Sequence, residues 1–278
     1  MKFIDVNCDM GELPQAVSGG AQESLMPYLT SINVACGGHA GDEQTMRGTI
    51  EQALRWKLAI GAHPGYADRA HFGRVDLRLP EKEIADSVFE QVQRLAKVAA
   101  ACGAALTHVK AHGALYNQAA RDPAIARAIA DGVSRWRTGA GCRPARAPNR
   151  RRSPLQTRDV LLVGLAGSPM LDVFRQAGFA VAAEAFADRR YQPDGSLRSR
   201  NFADALILDP AQAAEQALRI AEHGSVIASD GTEVAANAQT ICIHGDTPGA
   251  PQIAAAVAYA LRNAGITLHA LGTAKPRL

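Results

Sequence analysis

Near the N-terminus Asp5, Asn7 and Asp9 alternate with Ile4, Val6 and Cys8, and Gly11-Glu12 follows directly. Side chains two apart share a face of an extended strand, so two carboxylates and an amide line one side while apolar groups line the other. The stretch around residue 110 repeats this arithmetic with bases: His108, Lys110 and His112 share a face, opposed by Val109 and Ala111. Buried carboxylates need partners, and a buried ammonium is costly unless paired. Acid and base are therefore expected to meet at one place. The chemistry of such a meeting is general acid/base catalysis with stabilisation of a developing oxyanion. Asp9 or His63 has the side chain to activate water, His112 or Asp246 to protonate a leaving group, and Glu12 to assist. Lys110 suits an oxyanion or a substrate carboxylate, and a purely structural ion pair with Asp5 or Asp9 remains the alternative.

Further candidates fall at the ends of other apolar runs. Asn33, His39 and Asp42 lie in Asn-Val-Ala-Cys-Gly-Gly-His-Ala-Gly-Asp, and His63 and Asp68 in the segment that follows Gly61. Glu184, Asp188 and Arg189 come later, then His244 and Asp246. Six of the eight histidines (39, 63, 71, 108, 112 and 244) occupy such ends, a pattern that a surface scatter would not give. A metal is not assigned. His108 and His112 are spaced as on a zinc-binding helix yet read as strand; were a metal present, Asp9, His108 and His112 would be its ligands.

The elements that must position these groups alternate. Short apolar runs over 2–8, 31–36, 58–62, 105–110, 160–165, 180–184, 225–229 and 239–243 read as buried strands. Asp122-Pro123, Ser168-Pro169 and Asp209-Pro210 open helices, because a short polar side chain caps free N–H groups and proline tolerates the first helical position. Apolar spacing adds helices over 42–57, 81–102 and 250–264. Such alternation over this length predicts one α/β domain, a closed (β/α) barrel or a distorted relative, with the polar groups at the strand ends where barrel enzymes build active sites. Neither G-x-G-x-x-G after the first strand nor G-x-x-x-x-G-K-[ST] occurs.

The chain has 278 residues, 47% of them apolar, and a formal charge of +3. The stretch 137–158 alone carries seven arginines and no acid, so the remainder is mildly acidic and offers no nucleic-acid face. Three prolines and the lack of periodicity predict that 137–158 is an inserted mobile loop. Five cysteines without a C-x-x-C pair, and no apolar leader or spanning segment, lead to the expectation of a reduced, cytoplasmic protein with no membrane partner.

Seven ordered motifs resemble the LamB/YcsF family from Met1 to about Leu271. They are Asp5-Val-Asn7-Cys-Asp9-Met-Gly11-Glu12, Asn33-Val-Ala-Cys-Gly-Gly-His39-Ala-Gly-Asp42, Gly61-Ala-His63-Pro64, His108-Val-Lys110-Ala-His112-Gly113-Ala-Leu-Tyr116-Asn117, Val163-Gly-Leu-Ala-Gly-Ser168, the Phe186 to Leu197 stretch with Asp188-Arg189, and His244-Gly-Asp246. The resemblance implies a seven-stranded, TIM-like barrel of the glycoside hydrolase/deacetylase type. It also implies cleavage of the lactam 5-oxo-L-proline to L-glutamate coupled to ATP hydrolysis, with 5-oxoprolinase subunits B and C as partners. It marks Asp9, Glu12, His39, His63, Lys110, His112 and Asp246 as site candidates; Asn7, Asp42, Asn117, Asp188, Arg189 and His244 complete the expected substrate contacts. With no P-loop in this chain, ATP is expected to be bound wholly or partly by a partner. Ala111 stands where the family usually has proline and Arg190 where it has glycine, and the insertion is a third departure. Three further readings stay compatible with the sequence: a stand-alone metal-dependent deacetylase or amidohydrolase, a homo-oligomer, and a non-catalytic lactam-binding subunit.

Overall fold

The computed structural model describes residues 2–139 and 160–272. Its first half runs β1 (Phe3–Met10), α1 (Pro14–Ser18), a 3-10 turn over Glu23–Tyr28, β2 (Ser31–Ala35), α2 (Glu43–Arg55), β3 (Ala59–His63) and α3 (Glu81–Ala101). Then come β4 (His108–Lys110), α4 (Gly113–Ala119), α5 (Pro123–Thr138), β5 (Leu161–Leu165), α6 (Met170–Gln176) and β6 (Val181–Phe186). The chain closes with α7 (Pro210–His223), β7 (Ser225–Ile227), β8 (Glu233–Ala235), β9 (Thr240–His244), α8 (Ala250–Asn263) and β10 (Thr267–Leu268).

Seven parallel strands, β1 to β6 and β9, close into a barrel because β1 pairs with β2 on one side and β9 on the other. The short β10 adds beside the start of β1. The candidate strand 225–229 forms, but outside the barrel: Ser225–Ile227 pairs antiparallel with Glu233–Ala235. Its apolar residues fit a strand, and the nearby Asp230-Gly231 turn gives it a local partner.

Two apolar regions hold the barrel. Outward residues such as Val6, Ile32, Val34, Val109 and Leu162 join a core with Met46, Ile50, Val92, Leu95, Ile129 and Val257 from the helices. Leu161, Val163 and Ala182 form a separate cluster capped by Leu271. The remaining inward positions include the polar groups that carry the site.

Two of the three expected Asp-Pro or Ser-Pro helix starts follow the capping rule. Asp122 accepts from Ala124 N, and Asp209 from Ala211 N and Gln212 N. Ser168 differs: its hydroxyl donates back to Leu165 O, and α6 starts without a side-chain cap. The expected loop 137–158 begins too early, because Arg137 and Thr138 complete α5, which ends at Gly139 with φ 73°. Residues 140–158 lie outside the described residues.

Candidate active site at the barrel mouth

Register stacks the inward polar groups in layers. Asp5 pairs with Thr240, Asn7 with Cys242 and Asp9 with His244 across β1 and β9, while Asp9 faces Asn33 across β1 and β2. In the lowest layer Asp5 accepts hydrogen bonds from Thr30 (2.6 Å), Ser31 (2.8 Å) and Thr240, so hydroxyls rather than Lys110 satisfy it. Burial nevertheless raises its pKa above the usual carboxylate value.

The middle layer is built around Lys110. Its Nζ lies 3.0 Å from Asp9 Oδ1, 2.9 Å from Glu184 Oε1, 3.0 Å from Cys242 Sγ and 3.4 Å from Asn7 Oδ1. Burial works against the ammonium, but Asp9, Cys242 and Glu184 outweigh it and raise its pKa well above the ordinary value. With these partners the three N–H groups are committed, so Lys110 positions Asp9 instead of gripping a substrate carboxylate. Asn33 donates to both Asn7 Oδ1 and Asp9 Oδ1 at 2.8 Å, and its own oxygen accepts from His108 Nε2 at 2.8 Å.

His108 is thereby taken out of the conditional metal set. Its Nδ1 lies 2.8 Å from Thr107 Oγ1 and its Nε2 is used by Asn33. Burial, then the Lys110 charge, pushes its pKa down to about 3. The ring enters the barrel only because residue 61 is glycine: a Cβ there would sit 2.1 Å from His108 Nε2.

The upper layer holds Asp9 with Glu12, His39, His63 and His112. Asp9 Oδ2 is 3.3 Å from His63 Nε2, and His63 Nδ1 donates to Lys110 O at 2.8 Å. Glu12 Oε1 lies 3.1 Å from His39 Nε2 and 3.2 Å from His112 Nδ1. The His39 and His112 rings stack at 3.7 Å with 6° between planes, and Phe72 stands edge-on to both. Burial raises the Asp9 and Glu12 carboxyls, yet both end well below the usual range, Asp9 through the neighbouring His63 and Lys110 and Glu12 through its contacts with His112 and His39. Burial also lowers His112 and takes His39 down to about 4.

A cavity of ≈ 150 Å³ opens beside this layer, with Asp9, Glu12 and Asp246 in its wall. Asp246 is held by Arg74 and, at 3.4 Å, by Arg200. Two guanidinium groups thus stand beside the Asp246 carboxylate. His244 also borders the network, its N and Nδ1 each donating to Asp188 at 3.0 Å; Thr247 donates to the same carboxylate at 2.7 Å.

Three expected substrate contacts lie elsewhere. Asp42 is exposed and caps α2 in a reciprocal box with Thr45, which uses its carboxylate locally. Arg189 is buried and donates to Arg198 O at 2.6 Å and Ala205 O at 3.4 Å, tying down the segment after β6. Asn117 is exposed on α4, outside the buried network. The strand-end candidates Asn33 and Glu184 do belong to the site, and so does Cys242, which the sequence did not single out. Glu184 has a visible signal: it is the sole charge in Val-Ala-Ala-Glu-Ala-Phe. Cys242 has none, since a buried cysteine usually acts as a small hydrophobe.

Fold and site together define a closed parallel barrel with an acid, histidine and lysine centre at the carboxyl ends of its strands, the arrangement of a barrel enzyme. The chain belongs to the LamB/YcsF family, whose profile matches residues 4–142 and 152–275 and leaves the middle of the arginine-rich stretch unmatched. It is 46% identical over 269 residues to the A subunit of the 5-oxoprolinase of Chloroflexus aggregans, covering 97% of this chain and 99% of that one. It is 45% identical over 267 residues to the corresponding 5-oxoprolinase chain of Bordetella pertussis, covering 96% and 98%. Among solved structures, the lactam utilization protein of Thermus thermophilus superposes with a TM-score of 0.82 at 38% identity, covering 98% of this chain and 100% of that one. Among the described residues no helix is long and apolar enough to cross a membrane.

Proposed function

We propose that this chain is the ring-opening component of an ATP-dependent 5-oxoprolinase, converting 5-oxo-L-proline to L-glutamate together with subunits B and C. The observation that carries the reading is Asp9: one oxygen is held by Lys110 and Asn33, and the carboxylate reaches the wall of a cavity sized for one small ligand. A carboxylate kept ionised and aimed by its other oxygen is suited to take a proton from water.

An unstrained lactam is a poor electrophile. Transfer of the γ-phosphoryl group of ATP to the lactam oxygen, with release of ADP, turns that oxygen into part of a leaving group. Water then adds to the ring carbon, giving its proton to Asp9. Asp9 returns the proton to the ring nitrogen as the C–N bond breaks, and a second water releases phosphate from the acyl phosphate to leave glutamate. Arg74 and Arg200, beside Asp246, are the cations available for the substrate carboxylate or the phosphoryl group. ATP binding is assigned wholly or partly to the partner subunits, in keeping with the absence of a P-loop motif in the sequence.

The test is glutamate release from 5-oxoproline and ATP by this chain with subunits B and C, and by mixtures lacking each one. Release that depends on this chain is expected. Undiminished release without it would refute the reading, and ATP-independent release by this chain alone would favour the stand-alone amidohydrolase.

A further inference from the structure

The four residues Glu12, His39, His63 and His112 offer donor atoms that all lie within 4.8 Å of one another. Two of the imidazoles have their outer nitrogens committed. His63 Nδ1 donates to Lys110 O at 2.8 Å, and His112 Nε2 donates to Phe72 O at 3.0 Å. In their neutral forms these rings must present the lone pairs of His63 Nε2 and His112 Nδ1, which lie 2.9 Å apart. Two lone pairs at that separation repel unless something positive sits against them. Glu12 Oε1, 3.2 Å from one and 3.9 Å from the other, adds negative charge to the same point, as does Asp9 Oδ2 at 3.3 Å from His63 Nε2. The ammonium of Lys110 does not neutralise them, being spent on Asp9 Oδ1 and Glu184.

We propose that Glu12, His39, His63 and His112 bind one divalent transition-metal ion, with zinc the best fit to three imidazoles and a carboxylate. A tetrahedral zinc site with bonds of about 2.1 Å has ligand–ligand edges of about 3.4 Å. The separations of 2.9, 3.1, 3.2 and 3.9 Å among these donors bracket that edge. Metal-ligating histidines characteristically donate their other N–H to a carbonyl or carboxylate, as His63 and His112 do here. His39 is fixed differently, by stacking on His112 and by the close backbone of Gly65 and Gly73, where a Cβ would come within 2.8 and 2.7 Å of its ring nitrogen and Cβ. The Phe72 carbonyl is aimed by a left-handed backbone, φ 56°, a conformation that a bulky residue keeps only when its surroundings enforce it. An ion has a way in, because Glu12 lines the open cavity.

A second group, Asp9, Cys242 and His244, also has ligand types. It is already filled by side chains: the Lys110 ammonium lies 3.0 Å from both Asp9 and Cys242, and His244 is held by Asp188. The inference goes beyond the proposed reaction and does not rest on it.

The experiment is calorimetric titration of the metal-stripped full chain with Zn²⁺, with Co²⁺ absorption as a coordination readout. The variants are Glu12→Gln, His112→Asn, Cys242→Ser and the exposed His71→Asn, each checked for folding by circular dichroism. The expected result is one Zn²⁺ per chain, weakened at least ~10-fold in Glu12→Gln and His112→Asn and unchanged in Cys242→Ser and His71→Asn. Absence of stoichiometric binding by the parent, or equal binding by folded Glu12→Gln and His112→Asn, would overturn the proposal. Loss of binding in Cys242→Ser alone would move the ion to the second group and overturn it equally. Zinc binding and ATP-dependent glutamate release are separate readouts, so either reading can fail while the other stands.

Discussion

The Lys110 ammonium is shared between two buried carboxylates, 3.0 Å from Asp9 Oδ1 and 2.9 Å from Glu184 Oε1. The three residues come from β4, β1 and β6, no two of which are hydrogen-bonded neighbours, so the triad ties the barrel across its interior. Removing the cation leaves two carboxylates uncompensated. Lys110→Met should therefore destabilise the fold by about 3–5 kcal/mol, the usual cost of breaking a buried pair from one side. Urea unfolding measures it, and a change below about 1 kcal/mol would mean that the pair is not what holds these strands.

Gly61→Ala should destabilise the protein by about 1–3 kcal/mol through overpacking. The added Cβ falls 2.1 Å from His108 Nε2 and cannot be accommodated while that ring keeps its bond to Asn33. Thermal unfolding of the variant, and of Gly61→Ala combined with His108→Ala, checks the cause: the second change should restore part of the loss.

Acid should weaken the fold partly through His108. Its pKa is about 3 in the folded state against 6.5 for the free side chain, so the unfolded chain binds more protons between these values. Its contribution is complete above pH 6.5 and is lost progressively as pH falls toward 3. His108→Gln should show a shallower decline of unfolding free energy from pH 6.5 to 4 than the parent; parallel declines would contradict the assignment.

Asp246 should matter to turnover more than to folding. Its partners Arg74 and Arg200 are partly exposed, and such pairs contribute about 0–1 kcal/mol. Asp246→Asn is expected to change stability by less than about 1 kcal/mol while lowering kcat/KM for glutamate release by roughly tenfold or more, as steady-state kinetics would show.

The barrel was legible because its strands are short apolar runs separated by capped helices, and β1 and β4 announced their polar faces by strict alternation. The run at 225–229 had equally good strand chemistry, yet local composition does not say whether a strand joins a barrel or a hairpin. At the site, the acidic face of β1 and the basic face of β4 could be expected to meet because both alternate with period two, but that pattern did not say whether Asp5 or Asp9 would take Lys110. Asp42 misled for a physical reason: an aspartate just before a helix satisfies its N–H groups, and that local role looks in sequence like a strand-end ligand. Cys242 carries no charge to flag it, and its role depends on register across β1 and β9, which only the closed barrel fixes.

The central claim is that Asp9 performs the proton transfers of ring opening. The most direct measurement is the rate of glutamate release by Asp9→Asn in the complete mixture with subunits B and C, ATP and 5-oxoproline, alongside the parent. Loss of turnover by on the order of 10²-fold or more in a folded variant is predicted. Retention of parental turnover by Asp9→Asn would contradict it.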